Sequence, residues 1–251
     1  VELTTSTAAA DRIGLLQSIV QQVISELNQK NFPQQPTFAY IKKETLAGRV
    51  YKSIDFILPG QLGFSLLSAG VFGVAFIFFN LRQSLVLKRF FATPIKRTYI
   101  VFGEGLGRII FQMITAIVIL SFGHLFFGFT LINGWITFFE LLLLSLLGLI
   151  VFMGFGFVVS GLAKSESTIP PFANIVTLPQ FLLAGTFFPI DNFPNWLQPL
   201  CNLLPLTHLN QAMRNVAFEG AHLTDCLPQL QILLIWGVVV YATAIKVFKW
   251  E

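Results

Sequence analysis

Residues 169–214 read IPPFANIVTLPQFLLAGTFFPIDNFPNWLQPLCNLLPLTHLNQAMR, an apolar run punctuated by proline at 170, 171, 179, 189, 194, 199 and 205. No core element of a water-soluble protein is written this way. Pro170 and Pro171 suit the start of a helix, whereas Pro179 falls in its interior, where it deletes a backbone hydrogen bond and kinks the chain. In lipid that loss is tolerated when neighbouring helices or waters satisfy the freed groups. After Gly185 the chain stays apolar, yet a further crossing would break the sidedness derived below. The stretch holding Pro189, Pro194, Trp196 and Pro205 is therefore expected to dip into the outer leaflet and return, as a re-entrant helical hairpin leading into PLTHLNQAMR.

Composition extends this reading to the whole chain. At 55% hydrophobic and 11% charged, with 28 Phe in 251 residues, there are too few charges to cover a soluble globule. The mean hydropathy of +0.74 agrees. An all-α integral membrane protein follows, and five stretches reach the roughly 20 residues a span needs: about 55–79, 100–126, 134–160, 169–188 and 229–248. Residues 1–52 differ. Ile13, Leu16, Val20, Val23 and Leu27 recur at helical spacing beside polar residues, and the polar run NQKNFPQQPTF follows, as in a water-exposed domain. No signal peptide is visible at the start.

Sidedness follows from the basic residues. Arg82, Lys88, Arg89, Lys96 and Arg97 lie between the first two spans, Lys164 in the loop 161–168, and Lys246 and Lys249 at the end; the outer loops hold Arg214 alone. This asymmetry places loops 80–99 and 161–168 and the C-terminus in the cytoplasm, and the N-terminal domain outside. It also explains the isoelectric point near 9.2 without any nucleic-acid partner.

The cytoplasmic loop carries a second pattern. At about 100° per residue, Val86, Leu87, Phe90 and Phe91 fall on one arc, with Arg82, Lys88 and Arg89 on the other, until Pro94 forces a turn. This describes an interfacial helix. It either anchors the chain on anionic lipid or docks on a cytoplasmic partner and transmits its motion.

Three stretches together resemble a known family: IDFILPGQLGFSLL opening a span at 54–67, the cytoplasmic LKRFFATPIKRTYIVFGEGL at 87–106, and NIVTLPQFLLAGTFFPIDNFPNWLQPLCNLLPLTHLNQAMR at 174–214. They resemble the permease subunits of type-2 ABC exporters, in the bacterial drug-export-like branch whose large extracytoplasmic domain separates the first two spans. The resemblance covers about residues 50–248. It implies six spans per subunit, dimeric assembly with a second copy or a homologue, and separate cytoplasmic ATPase subunits that handle ATP and Mg2+. Residues 1–52 would then be the C-terminal part of the extracytoplasmic domain and 53–251 the permease domain, with five of the six spans present and the first one missing. The resemblance also implies a bacterial plasma membrane location and an exported substrate, with no cofactor bound by this chain. The string GEGLG at 103–107 is no nucleotide loop, because the GxGxxG spacing fails and no Gly-Lys-Ser/Thr follows.

Charges inside the membrane are costly and need an explanation. Arg108 lies about two turns into the second span from the inside and Glu140 about two turns into the third from the outside. Glu104, four residues before Arg108, is its expected partner, and both can snorkel to the inner interface; a place in the substrate path is the alternative. Glu140 faces the outer headgroups, or else lines an exit cavity or contacts a partner span. Gly103 and Gly107 form a small-xxx-small pair expected to let helices approach, as do Gly148, Gly154, Gly156 and Gly161 in the third span. Cys201 and Cys226 map to the outer side, either bridged or free and buried. The functional alternatives are a lipid or polysaccharide exporter, a membrane anchor or signalling subunit, and an intramembrane enzyme. The scattered single polar residues disfavour the enzyme. Phe-rich spans suit a hydrophobic or amphipathic cargo.

Overall fold

The computed structural model describes residues 2–6, 18–20, 22–24, 26, 42–46, 52–83 and 97–247. They fall into two units, Val1–Lys52 and Ser53–Glu251. In the first, β1 (Glu2–Ser6) and β2 (Lys42–Leu46) pair in parallel, with Glu2 opposite Lys42 and Ser6 opposite Leu46. A parallel pair cannot be closed by a tight turn and needs a long crossover, and the helical residues 18–20, 22–24 and 26 lie within it. The all-α expectation is thus corrected for this unit. Its strands, ELTTS and KKETL, lack the apolar alternation that would announce them. Of the amphipathic face expected here, Val20 is half-buried and Val23 exposed, while Ile13, Leu16 and Leu27 lie outside the described residues.

The second unit is all-helical among its described residues. Its helices are α1 (Ser53–Gln83), α2 (Arg97–Phe127), α3 (Trp135–Leu162), α4 (Ile169–Leu183), α5 (Gln198–Cys201), α6 (Pro205–Arg214) and α7 (Leu227–Val247). Four of these, α1, α2, α3 and α7, are long and apolar enough to cross a bilayer. A helix satisfies its own backbone groups, so a chain of this composition has few other options in lipid. In α1 and α3, 56% of the most apolar window is buried, against 22% in α2 and 17% in α7, so α1 and α3 form the centre and the other two flank it.

Glycine brings the central pair together. A Cβ on Gly156 would lie 2.7 Å from the Gly70 carbonyl oxygen, and one on Gly70 would lie 2.9 Å from Phe152 Cβ. Backbones meet here because nothing larger than hydrogen intervenes. The approach expected at Gly103 and Gly107 does not occur: among the described residues nothing lies within 4 Å of a Cβ built on either. Small residues permit contact, but a partner backbone must be there to make it.

The contacts also fix direction. Gly70 meets Phe152 and Arg82 meets Ala163, so α1 and α3 run parallel. Gly154 meets Val240 and Gly161 meets Val247, so α7 is parallel to both. By contrast, α2 is antiparallel to α1, with Gly123 against Leu58 and Arg108 against Gly73.

Residues 169–188, expected as one span, divide. The 15-residue helix α4 extends about 22 Å. It closes where Ala184 N–H donates to Gln180 O at 2.9 Å, and the chain turns at Gly185, whose φ of +68° suits glycine. Inside it, Pro179 leaves a weak point at which Gln180 Nε2 donates to Val176 O at 3.2 Å.

After this turn the chain passes through a short 3-10 turn, Ile190–Asn192, and through α5, and then enters α6. Despite its polar sequence, α6 is buried along most of its length, from Pro205 to Met213. Its Leu209 fills the space over Gly148 of α3, and Leu206 and Asn210 cover Gly63 of α1. Just before it, Leu203 O accepts a hydrogen bond from Trp236 Nε1 of α7 at 2.9 Å. At about 1.5 Å per residue, Gly63 and Trp236 each lie roughly 15 Å along their helices from Ser53 and Leu227. The N-terminal end of α6 is therefore inserted well below the ends of its neighbours.

Candidate functional site

Two polar constellations interrupt the apolar bundle, one at each end. The first lies between α1 and α2. Four-residue spacing puts Glu104, Arg108 and Gln112 on one stripe of α2, facing α1. Arg108 Nε stands 3.5 Å from Glu104 Oε1, and the two side chains are 27% and 36% exposed. The guanidinium reaches across to α1, where a Cβ on Gly73 would collide with Arg108 Nη1. Gln112 Nε2 donates to Ser65 Oγ at 3.4 Å. These groups border a cleft of about 400 Å³ whose remaining walls are largely apolar, with Phe72, Phe111, Leu149 and Met153. Arg108 Nε is buried and has no hydrogen-bond acceptor among the described residues.

The second constellation ties the other end together. Arg214, the last residue of α6, donates from Nε and Nη2 to Phe56 O at 3.2 and 3.0 Å, and from Nη2 to Gly185 O at 2.6 Å. Its guanidinium also lies 3.6 Å above the centre of the Phe56 ring. One side chain thereby joins α1, α6 and the turn after α4. Next to it, the buried Asp55 accepts from Thr130 N at 2.8 Å and from Thr130 Oγ1 at 3.1 Å. This carboxylate sits in the first turn of α1, where the helix dipole favours it. Asn210 Nδ2 donates to Ala184 O at 3.2 Å, and Gln180 Oε1 accepts from Leu206 N at 3.4 Å.

Glu140 is tied to another part of the bundle. Its Oε1 is 3.1 Å from His222 Nδ1 and accepts from Leu223 N at 3.4 Å, which staples α3 to the loop before α7. Nearby, burial pushes the Cys226 thiol above its usual range, helped by the carboxylates of Asp225, Glu140 and Glu219. Cys201 and Cys226 are both buried and free.

Of the expected coupling residues, Arg82 is described. Its Nη2 donates to Ala163 O at 2.8 Å, at the end of α3, and its guanidinium lies 5.3 Å from the Phe79 ring centre. Lys88, Arg89, Phe90, Phe91 and Pro94 lie outside the described residues. In the hairpin, Pro189 precedes the 3-10 turn, Pro194 O accepts from Leu197 N at 2.8 Å, Trp196 is exposed and Pro205 starts α6. Sequence reasoning missed the roles of Arg214, Asp55, Gln180 and Asn210. For Arg214 a signal existed, as the one basic residue in the loops expected to lie outside.

Comparison with known proteins bears on this arrangement directly. The profile of the ABC-2 type transporter family matches residues 12–218, which take in α1 to α6. ABC transporter G family member 20 of Dictyostelium discoideum is 26% identical over 235 residues, covering 90% of this chain and 32% of that protein. The linearmycin resistance permease protein LnrN of Bacillus subtilis is 23% identical, over 74% of this chain and 48% of its own length. The probable multidrug ABC transporter permease YbhR of Escherichia coli K12 is 22% identical, over 67% of this chain and 45% of its own. The chain thus spans less than half the length of each of these relatives. With the family profile covering α1 to α6 in one continuous match, this multi-pass membrane protein belongs to the ABC-2 type transporter family, as a permease subunit.

Proposed function

We propose that the chain is the membrane-spanning permease of an ATP-driven exporter, forming the substrate pathway and coupled to a separate cytoplasmic ATPase that carries ATP and Mg2+. The observation that carries this reading is the family match over residues 12–218. Two relatives are named for linearmycin resistance and multidrug transport, which favours a hydrophobic or amphipathic small molecule as cargo. A second permease copy or a homologue completes the pathway. The flanking helices α2 and α7 leave broad apolar faces for that copy or for lipid.

A fifth crossing by α4 is supported by the parallel course of α3 and α7. A chain leaving the end of one span must recross the bilayer before entering a parallel neighbour, and α4, short as it is, stands between them. A re-entrant dip of 189–206 into the outer leaflet is supported by the ties of Leu203, Leu206 and Leu209 to points far along α7, α1 and α3. The excess of Lys and Arg beside the opposite helix ends orients the bundle with its N-terminal unit outside and its C-terminus in the cytoplasm of a bacterial plasma membrane. Introduced cysteines test this orientation against a quiet background, since the native thiols are buried. Ser165→Cys is expected to label from the cytoplasmic side alone and Asn192→Cys from the outside alone; the reverse pattern overturns the topology.

Coupling falls to residues 81–97, assisted by 161–168. The Arg82 bond to Ala163 O supports this pairing, because a push on the chain beyond α1 is passed to the end of α3. Changing Phe90 and Phe91 together to Ala should lower transport at least tenfold while the subunit still assembles, since aromatic docking anchors typically cost more than about 1–2 kcal/mol each when truncated. The measurement is transport and ATP hydrolysis in proteoliposomes holding the full-length permease and its ATPase. Normal coupled transport in the double variant would leave these residues as lipid anchors only.

A further inference from the structure

We propose that the cleft between α1 and α2 binds the headgroup of a zwitterionic amphiphile, with an anionic group on Arg108 and an ammonium on Glu104. The cleft holds about 400 Å³, in the size range of small-molecule sites. Its polar groups sit on one wall and the rest is apolar, which suits a molecule with one charged end and a hydrocarbon tail.

The charge pair is poorly matched to itself. An arginine offers five N–H donors in a planar fork and binds a carboxylate best through two short bonds. Here Arg108 Nε approaches Glu104 Oε1 at 3.5 Å, and Nε is buried with no hydrogen-bond acceptor among the described residues. Because the guanidinium is stretched over Gly73, it is held away from an ideal embrace of Glu104. A phosphate entering the cleft supplies the missing acceptors, and an amine a few ångström away on the same headgroup keeps Glu104 neutralised. A purely anionic headgroup meets Glu104 as a like charge, and a purely cationic one meets Arg108.

Depth fits a lipid-derived ligand. Arg108 lies about 9 Å along the crossing part of α2 from Phe102, within reach of a headgroup drawn slightly inward from the adjacent leaflet. That this leaflet is the inner one rests on the orientation proposed above. Binding in the cleft does not rest on it, and a crosslink within the cleft is read the same way whichever leaflet supplies the lipid.

Gly107 provides a clean test. It borders the cleft, yet a Cβ there meets nothing within 4 Å among the described residues, so Gly107→Leu should occupy the cleft without moving a backbone. Gly103 is equally open but does not border the cleft, so Gly103→Leu is the matched control. The full-length protein in nanodiscs is photolabelled with diazirine-bearing phosphatidylethanolamine or phosphatidylglycerol, and the label on the α2 peptide around 104–112 is quantified by mass spectrometry. Phosphatidylethanolamine should label this peptide at least threefold more than phosphatidylglycerol. Gly107→Leu and Arg108→Gln should each lower that label at least threefold, and Gly103→Leu should leave it unchanged. Soluble phosphoethanolamine at millimolar concentration should not compete. Equal labelling by the two lipids, or equal loss in both glycine variants, overturns the site as ordinary lipid contact. Competition by phosphoethanolamine overturns the amphiphile in favour of a free headgroup site.

Discussion

Gly156→Leu should abolish recovery of the folded permease, and Gly156→Ala should already lower its Tm by roughly 5–10 °C, at about 2–4 °C per kcal/mol and about 2–3 kcal/mol for overpacking. The atoms an added methyl would meet are Gly70 O at 2.7 Å, Val74 Cβ at 2.7 Å and Val71 O at 2.8 Å. Two of the three are main chain, which cannot swing aside as a side-chain terminus can. The only relief is to separate α1 from α3, and with it to loosen the pairing that buries the centre of the bundle. Thermal unfolding in detergent, followed by size-exclusion chromatography, reads the effect, with Gly107→Ala as a reference in open space. Equal Tm values for the two alanine variants would show that α1 and α3 do not meet at this seam.

Arg214→Ala should lower stability by about 3–5 kcal/mol, the sum expected for losing charged hydrogen bonds to two carbonyls and a ring contact, less what water recovers. Phe56 O and Gly185 O would lose the donor that joins them, and α6 would be released at its C-terminal end. Arg214→Lys should restore less than half of the loss. An ammonium is a point charge without the fork that bonds two carbonyls while stacking on a ring. Denaturation of the purified permease gives the stability, and protease accessibility of 186–206 reports the release of the hairpin. A variant as stable as the parent would remove Arg214 from the clamp.

Four of the five expected spans were legible because lipid demands long apolar helices, and the prolines after 185 announced that no long helix follows α4 before α7. The end of α4 at Leu183 was readable in part, from Pro179 and Gly185, but helix length depends on where Ala184 finds its acceptor. Which glycines are packed was not readable at all. Gly103-xxx-Gly107 and the glycines of α3 look alike in sequence, and they differ in what stands opposite: the backbone of α1 at Gly156, side chains of α6 and α7 at Gly148 and Gly154, and, among the described residues, nothing at Gly103 or Gly107. Partners far apart along the chain stayed hidden for the same reason: Glu140 with His222, Asp55 with Thr130, Arg214 with Phe56. The parallel pairing of 2–6 with 42–46 lacks any local signature, since the strands are polar and joined by a long crossover.

Beyond its buried apolar contacts, the side-chain hydrogen bonds that seat α6 end on other residues' carbonyl oxygens: Phe56, Ala184, Gly185, Cys201, Asn202 and, just before it, Leu203. A carbonyl is the one group that every amino acid carries. Sequence drift at Ala184, Cys201, Asn202 and Leu203 therefore keeps the acceptors in place, while the constraint falls on Phe56, whose ring also meets Arg214, on Gly185 with its positive φ, and on the donors Arg214, Asn210, Thr207, His208 and Trp236. The segment from Asp191 to Trp196 supplies none of these donors or acceptors, so it can diversify while α6 stays seated.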